Sequence, residues 1–137
     1  MLSQRAKYAI RAMQELARLP NGHTMQATEL AERIRAPLHF LESILLELRR
    51  EGFLESKRGR SGGYRLHRPA DMISIADLIR QIDGPLALTT CASRTAYARC
   101  SDCPTPDDCQ LRPILLAARD AMAKVLESST LAYPRDI

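Results

Sequence analysis

The segment LHFLESILLELRREGFLESKRGRSGGYRL, residues 38–66, carries a helical pattern followed by a hairpin pattern. Its apolar residues first recur with the 3.6-residue period of one buried helix face. They are Leu41, Ile44, Leu45 and Leu48. The pattern predicts a helix from Leu38 to about Arg50, which Gly52 ends as a C-cap. His39, Glu42, Ser43 and Arg50 then lie largely on the opposite, polar side.

Two short strands are predicted next, at residues 53–57 and 64–67, with the glycine-rich tip RGRSGG at 58–63 between them. Residues 57–68 contain five Lys or Arg and no acid. Glycines let a backbone approach phosphates closely, and arginines neutralise phosphates or enter the minor groove. The tip is therefore typical of a DNA-binding wing. A solvated hairpin is the alternative, whereas a nucleotide P-loop is excluded because the Gly-Lys-Ser/Thr ending is missing.

Two helices are predicted upstream of this segment. Ser3 can cap the first, which runs to about Leu19 before the turn-forming residues 20–22. The second covers Ala27–Ile34 and is broken before Pro37. Two helices joined by a tight turn, the second with a polar outer face, form a helix-turn-helix pattern. Many small helical bundles contain such a pair, so the hairpin is what sharpens the prediction.

Charge is distributed unevenly along the 137 residues. Residues 1–70 carry a net charge of +6 and residues 71–137 a net charge of −2. This asymmetry suggests a polyanion partner for the first half, with a solvated basic surface as the alternative. We expect a cytoplasmic protein that does not cross a membrane, because no secretory signal and no long apolar run is present.

All four cysteines lie in residues 91–109, CASRTAYARCSDCPTPDDC, with eight, two and five residues between successive thiols. They can be metal or cluster ligands, redox-active thiols or disulfides. A reducing compartment disfavours disulfides, and the βαβ context of a thiol oxidoreductase is absent. The spacing matches neither a zinc ribbon nor a ferredoxin, so the spacing alone does not identify the metal.

Two more helices flank the cysteines. Ser74 and Asp77 form a capping pattern for a helix to Asp83. Pro113 fits the first turn of a helix to about Ser129. The latter has apolar residues at the 3,4,3 spacing of a coiled-coil seam, namely Leu115, Ala118, Met122 and Val125. We expect this seam to pack against a second copy of the chain, with packing onto its own domain as the alternative.

These motifs, in this order, resemble those of the IscR/NsrR/RirA-type bacterial transcription regulators. The similarity lies in the helix residues 41–52, in Arg58-Gly59-x-x-Gly62-Gly63-Tyr64-x-Leu66, in the cysteine block and in Leu126-x-x-x-Thr130-Leu131-Ala132. It implies a homodimeric winged-helix repressor or activator that binds a palindromic double-stranded operator and senses iron–sulfur, nitric oxide or redox status. Of these two modes of regulation, repression is favoured.

The resemblance also implies site residues. By position the base-reading residues are His39, Glu42 and Ser43, and the minor-groove arginine is Arg58. The remaining predicted wing contacts are Arg60, Ser61, Gly62 and Gly63. A carboxylate such as that of Glu42 can accept from a cytosine amino group. The alternative for Glu42 is an ion pair with Arg49 or Arg50 on its own helix.

Cys91, Cys103 and Cys109 match the three cysteines of the family pattern, and Cys100 is additional. The histidine that IscR-like members use after the last cysteine is replaced by Arg112, and the N-terminal carboxylate of other relatives is replaced by Lys7. We therefore expect Cys100 to supply the fourth ligand. Four thiolates suit a 2Fe–2S cluster, a 4Fe–4S cluster or, as the alternative, zinc.

The sequence thus predicts a mainly α fold with a small β-hairpin. We expect a winged helix-turn-helix DNA-binding domain at 1–84, a cluster-binding loop at 85–112, and a dimerisation helix and tail at 113–137. One rival interpretation keeps the winged helix but gives it a structural zinc. Another is a thiol or electron-transfer protein that does not bind DNA. An enzyme is not expected, because no nucleophile–base pair or cofactor loop is found.

Overall fold

The computed structural model describes residues 1–103 and 105–132. The described part is mainly α-helical with one antiparallel hairpin, as predicted. In chain order the elements are α1 (Gln4–Ala17), α2 (Ala27–Ile34), α3 (Leu38–Arg50), β1 (Leu54–Lys57), β2 (Gly63–Leu66), α4 (Ile75–Asp83) and α5 (Arg112–Ser128). Short 3-10 turns lie at Ala70–Met72, Thr90–Ala92 and Pro106–Asp108.

Helices α1, α2 and α3 share one apolar core with the hairpin. The predicted core face of α3 is buried, and Met13, Leu16 and Leu30 meet it from α1 and α2. Between α2 and α3, Arg35 adopts the left-handed conformation, with φ 54° and ψ 46°, and its N–H caps the end of α2. The chain therefore reverses within three residues and sets α3 across α2 as a helix-turn-helix.

The hairpin pairs Leu54 with Leu66 and Lys57 with Gly63. Each strand starts one position away from its predicted start, and both are four residues long. A contact absent from the prediction extends the sheet, because Met25 forms an isolated bridge with Tyr64. The two backbone hydrogen bonds between Met25 and Tyr64 measure 3.0 and 2.8 Å, so the segment before α2 lies beside β2 like a short third strand.

Helix α4 begins with the predicted capping box. Ser74 Oγ accepts from the Asp77 N–H, and the Asp77 carboxylate accepts from the Ser74 N–H, both at 3.0 Å. Its other end holds α1, since the Asp83 carboxylate accepts from both the N–H and the hydroxyl of Ser3. Ser3 itself caps α1 by accepting from the Ala6 N–H, as predicted.

Helix α5 returns to the first core at its C-terminal end. The Ser129 carbonyl accepts from the Ile75 N–H at 2.8 Å, and the Leu131 N–H donates to the Ile73 carbonyl at 3.0 Å. Leu131 is buried in the same cluster as α1–α3. Along α5 itself, Ala123 and Leu126 pack against α4. The end of α5 is therefore fixed to the body formed by α1–α3.

Element boundaries differ from the predictions by a residue or two. Helix α1 ends at Ala17 rather than near Leu19, because its last turn tightens and the Leu19 N–H bonds to the Leu16 carbonyl. The tail at 133–137 of the predicted third region lies outside the described residues. None of the helices in the described ranges is long and apolar enough to span a bilayer.

Candidate nucleic-acid interface and cysteine cavity

The predicted base-reading residues lie together on the exposed side of α3. His39, Glu42 and Ser43 are all exposed, whereas the opposite side of the helix is buried in the core. Within the described chain Glu42 forms no ion pair, so the alternative pairing with Arg49 or Arg50 is not observed there. The Glu42 carboxylate is therefore directed outward with its acceptor oxygens uncommitted.

Arg5 on α1 is a neighbour of this face that the sequence did not reveal. Its guanidinium donates to Ser43 Oγ at 2.9 Å and to the Glu47 carboxylate at 2.6 Å. It also lies 5.8 Å from the centre of the Phe40 ring. Because 38 residues separate Arg5 from Ser43, no local pattern signals the contact. Ser43 is thus held in place before any nucleic acid is bound.

The tip of the wing presents cations that form no ion pair with any described residue. Arg58, Arg60 and Lys57 are exposed, and none forms an ion pair with a described residue. By contrast, Arg65 at the base of the hairpin is paired with Glu55. Cations at the tip are therefore available to phosphates, and the base of the wing is held by its own salt bridge.

The wing tip is braced against the segment before α2. Thr24 donates from Oγ1 to the Ser61 carbonyl at 2.8 Å, and Gln26 Nε2 lies 3.4 Å from the Arg60 carbonyl. Gly62 is buried and lies so close to the Lys57 carbonyl that a Cβ there would be 2.3 Å from the oxygen. The predicted wing residues thus come together in one ordered turn, and Gly62 also has a packing role.

Gly63 shows the same close approach. Its φ is +141°, and a Cβ at this position would lie 2.4 Å from the Met25 carbonyl. The glycine pair therefore has a structural reason in the wing, independent of any phosphate. Direct DNA contact by Gly62 and Gly63 stays a prediction.

The four cysteines line one cavity of about 580 Å³ at the start of α5. All four are free thiols; Cys91 is buried and Cys100, Cys103 and Cys109 are half-buried. Asp102, Asp108 and two arginines, Arg99 and Arg112, are the charged residues of the lining. The cavity brings together the four residues that were predicted as ligands.

The local environment makes these thiols unequal. The Thr89 hydroxyl, 3.1 Å from Cys91 Sγ, lowers the pKa of the Cys91 thiol, aided by the Cys100 thiol and the Arg112 guanidinium. The neighbouring Cys91 thiol, burial and Asp102 raise the pKa of Cys100. Cys91 is therefore the thiol that ionises more readily within this pair.

The donor set fits an iron–sulfur cluster or zinc by its chemistry, since all four candidate ligands are thiols and no histidine lines the cavity. The geometry is not that of a closed site. In residues 1–103 and 105–132 no three Cys, His, Asp or Glu side chains are close enough together to hold a metal ion. Metal binding would therefore draw the thiols closer than they are here.

Two arginines connect the cysteine loop to α5. Arg112 Nε donates to the Cys91 carbonyl at 3.1 Å from the first turn of α5. Arg94 forms a two-pronged ion pair with Asp120 in the middle of the helix, at 3.0 and 2.6 Å. The loop and the helix therefore form one connected unit.

Helix α5 leaves an apolar face uncovered. Ile114, Met122 and Val125 are exposed to 64%, 36% and 54%, and Ala118 is exposed beside them. Of the predicted seam, only Leu115 is partly covered, because it lines the cysteine cavity. Ala123, which packs on α4, lies on another side of the helix, and Leu126 borders the exposed face. Apart from Leu115, the seam is thus left uncovered by the residues that the structure describes.

Comparison with known proteins places this architecture in one group. The family model Rrf2, described as iron-dependent transcriptional regulator, matches residues 2–133. A relative in Rhodobacter capsulatus, named an rrf2-like HTH-type transcriptional regulator, is 40% identical over 134 residues, covering 96% of this chain and 89% of its own. An HTH-type transcriptional regulator of Mycobacterium tuberculosis is also 40% identical, covering 96% and 78%.

Two solved structures are similar over nearly the whole chain. CymR, the global cysteine regulator of B. subtilis, has a TM-score of 0.78 and 29% identity, covering 96% of this chain and 92% of its own. IscR of T. potens has a TM-score of 0.74 and 26% identity, covering 96% and 83%.

Proposed function

This chain belongs to the Rrf2 family of DNA-binding transcriptional regulators, which are not enzymes, and from that premise we propose that it is a homodimeric sensor of iron–sulfur or redox status. The signal acts through the four cysteines and changes the affinity of the protein for a palindromic operator. One observation carries the sensing part, namely that all four thiols line a single cavity from which α5 departs.

The DNA contacts follow from the exposed groups of α3 and the wing. Glu42 is free to accept from a base in the major groove, flanked by His39 and the Arg5-held Ser43. Arg58 and Arg60 extend from the wing tip and form no ion pair with the described residues. We assign the minor groove to Arg58 and phosphates to Arg60, with Ser61, Gly62 and Gly63 bringing the backbone close.

The dimer is supported by the uncovered face of α5. Exposed residues at a 3,4 spacing form a strip that water would otherwise cover, and a second copy of the strip is complementary by symmetry. A dimer also explains the operator, because two recognition helices about 34 Å apart read successive major grooves. The expectation that this helix packs only on its own domain does not account for the exposed strip.

The cofactor is proposed as an iron–sulfur cluster held by Cys91, Cys100, Cys103 and Cys109. Support comes from the thiol-only donor set and from the family description as iron-dependent. When bound, a cluster supplies a redox-labile and NO-reactive centre. The chain supplies the ligands and the connection, because Arg112 and Arg94 join the loop to α5.

A second candidate keeps the DNA binding and replaces the cluster. CymR is named a cysteine regulator, and in the described chain no three ligands are gathered for a metal. Metal-free thiols that respond directly to oxidants fit these observations, and a structural zinc is the alternative that four thiol ligands allow. Both share the proposed operator-binding surface and differ only at the cysteine cavity.

The deciding experiment is purification without oxygen, followed by a visible spectrum and iron, sulfide and zinc analysis. The presence of both iron and sulfide in the purified protein would support the cluster. The number of iron and sulfide ions per chain would then separate a 2Fe–2S from a 4Fe–4S cluster. Cys100→Ser should then lose the visible bands while Ser101→Ala, its neighbour in the same loop, keeps them. One zinc per chain, or no metal in an active DNA-binding protein, would exclude the cluster.

The wing is tested separately. Arg58→Ala should weaken binding to the selected operator by about 1–3 kcal/mol while the steep salt dependence remains. Arg18→Ala is the matched control, because Arg18 is also exposed but its partner is Glu15 on α1. Equal affinities for Arg58→Ala and the unaltered protein would remove Arg58 from the interface.

A further inference from the structure

Two exposed leucines flank Glu42 on α3, and we propose that they read thymine. Specifically, Leu38 and Leu46 contact the C5-methyl groups of thymines on either side of the base pair that Glu42 reads. The inference rests on the proposed DNA-binding function of α3. It adds specificity residues that neither the motifs nor the comparisons assign.

The spacing places the three side chains in one row. Leu38, Glu42 and Leu46 are separated by four residues each, so each is the next neighbour along the helix surface. A step of four residues rises about 6 Å along the axis. The row therefore presents one carboxylate with a branched apolar side chain about one turn before it and another about one turn after it.

The exposure of these leucines contrasts with the rest of the helix. Leu38 and Leu46 are 37% and 38% exposed, while the core leucines Leu41, Leu45 and Leu48 are fully buried. One exposed leucine is ordinary on a protein surface. Two that bracket a carboxylate with no ion pair among the described residues, on the exposed face of α3, form a pattern with alternating chemistry.

Thymine is the base that this chemistry fits. Its C5-methyl projects into the major groove, whereas a cytosine presents an amino donor there. The carboxylate of Glu42 suits the donor, and the leucines suit the methyl groups. Base pairs are spaced about 3.4 Å apart, so a 6 Å step spans about two of them. The half-site should therefore contain a cytosine with a thymine within about two base pairs on each side, on either strand.

Packing of the leucines would also affect Glu42. Methyl groups on both sides exclude water from the carboxylate–amino hydrogen bond, and such bonds strengthen when the local dielectric falls. Leu38 and Leu46 would thus contribute to operator affinity in two ways, by contacting thymine directly and by strengthening the hydrogen bond of Glu42. Loss of either leucine should relax the preference at thymine more than it weakens general binding.

The test uses the full-length protein and a selected operator. A half-site is first enriched from a random duplex pool, and each thymine is then replaced by deoxyuridine, which removes only the C5-methyl. We expect about a four-fold loss of affinity at one thymine on each side of the cytosine, the value of one buried methyl. Leu46→Ala should abolish the loss at one position and Leu38→Ala at the other.

Met72→Ala is the control, because Met72 is 69% exposed and lies outside α3. It should keep both deoxyuridine effects, and all variants should elute as the unaltered protein does on gel filtration. Tight binding of the enriched duplex with no deoxyuridine effect, or an effect that survives both leucine substitutions, overturns the inference and leaves the regulator intact. Failure to enrich any duplex overturns both proposals.

Discussion

Gly63→Ala should be among the most damaging single-methyl additions to the wing. The added Cβ would lie 2.4 Å from the carbonyl carbon and oxygen of Met25, a distance that real contacts do not reach. The Met25 strand edge must therefore move away from Tyr64. Its two backbone hydrogen bonds, at 3.0 and 2.8 Å, are then lost.

The magnitude follows from two contributions. Two net backbone hydrogen bonds are worth about 1 kcal/mol each. An alanine forced to a positive φ costs about 1–2 kcal/mol more. We expect the free energy of unfolding to fall by about 3–4 kcal/mol in all.

Gly59→Ala is the matched control in the same hairpin. Gly59 also has a positive φ, +102°, but a Cβ there would have no neighbour within 4 Å. It should therefore pay only the conformational cost of about 1–2 kcal/mol. The difference between the two variants isolates the clash with Met25.

Urea unfolding followed by circular dichroism measures both variants, at one protein concentration because the stability of the proposed dimer would depend on concentration. The reasoning is refuted if Gly63→Ala and Gly59→Ala agree within about 0.5 kcal/mol. In that case the Met25 bridge would contribute nothing to stability.

Three further outcomes are expected. Asp83→Ala removes the acceptor of both Ser3 hydrogen bonds and should lower the free energy of unfolding by about 1 kcal/mol, measured in urea; an unchanged midpoint would contradict the contact. Val125→Lys places a charge on the exposed strip of α5 and should shift the sedimentation profile from dimer to monomer; a persistent dimer would move the interface elsewhere. Arg94, ahead of Arg119, lowers the pKa of Asp120 below its ordinary value of 3.8, so the ion pair stabilises the folded state above that pH and is lost as pH falls through the lowered pKa. Protection of the cysteine-loop amides, taken relative to their intrinsic exchange rates at each pH, should fall over that acidic range in the unaltered protein but be low already at neutral pH in Asp120→Asn, and identical protection profiles would exclude a role for the pair.

Local signals in the sequence were sufficient for most of the framework. The bounds of α2 and α3 agree with prediction because Pro37 and Gly52 fix the breaks and the apolar period fixes the buried face. The Ser74–Asp77 capping box is a four-residue pattern, and the structure contains both of its hydrogen bonds. Such features depend on neighbours in sequence, so one chain is enough to find them.

Contacts between distant residues were not predictable in this way. Nothing near Met25 indicates an edge that pairs with Tyr64, and nothing near Arg5 indicates that it holds Ser43. The tight fit around Gly63 is likewise a property of the assembled wing, although the sequence motif already marks Gly63 as a wing residue. The cysteine region was recognised by composition, whereas the size of its cavity and the unequal thiols required the fold.

Helix α5 is attached at both ends, besides the Arg94–Asp120 pair and the packing on α4 along its length, which suits it to act as a lever. Its 17 residues span about 25 Å. The C-terminal, far end is bonded to the α1–α3 body through Ile75 and Leu131, and the N-terminal, near end is bonded to Cys91 through Arg112. With the far end as pivot, a displacement of about 2 Å at the near end is a tilt of about 5°. The exposed strip lies between these two ends, so in the proposed dimer a movement of the cysteine loop would rotate the strip against the partner. A short helix, or one that is free at either end, would not turn a displacement at the cysteine loop into a rotation.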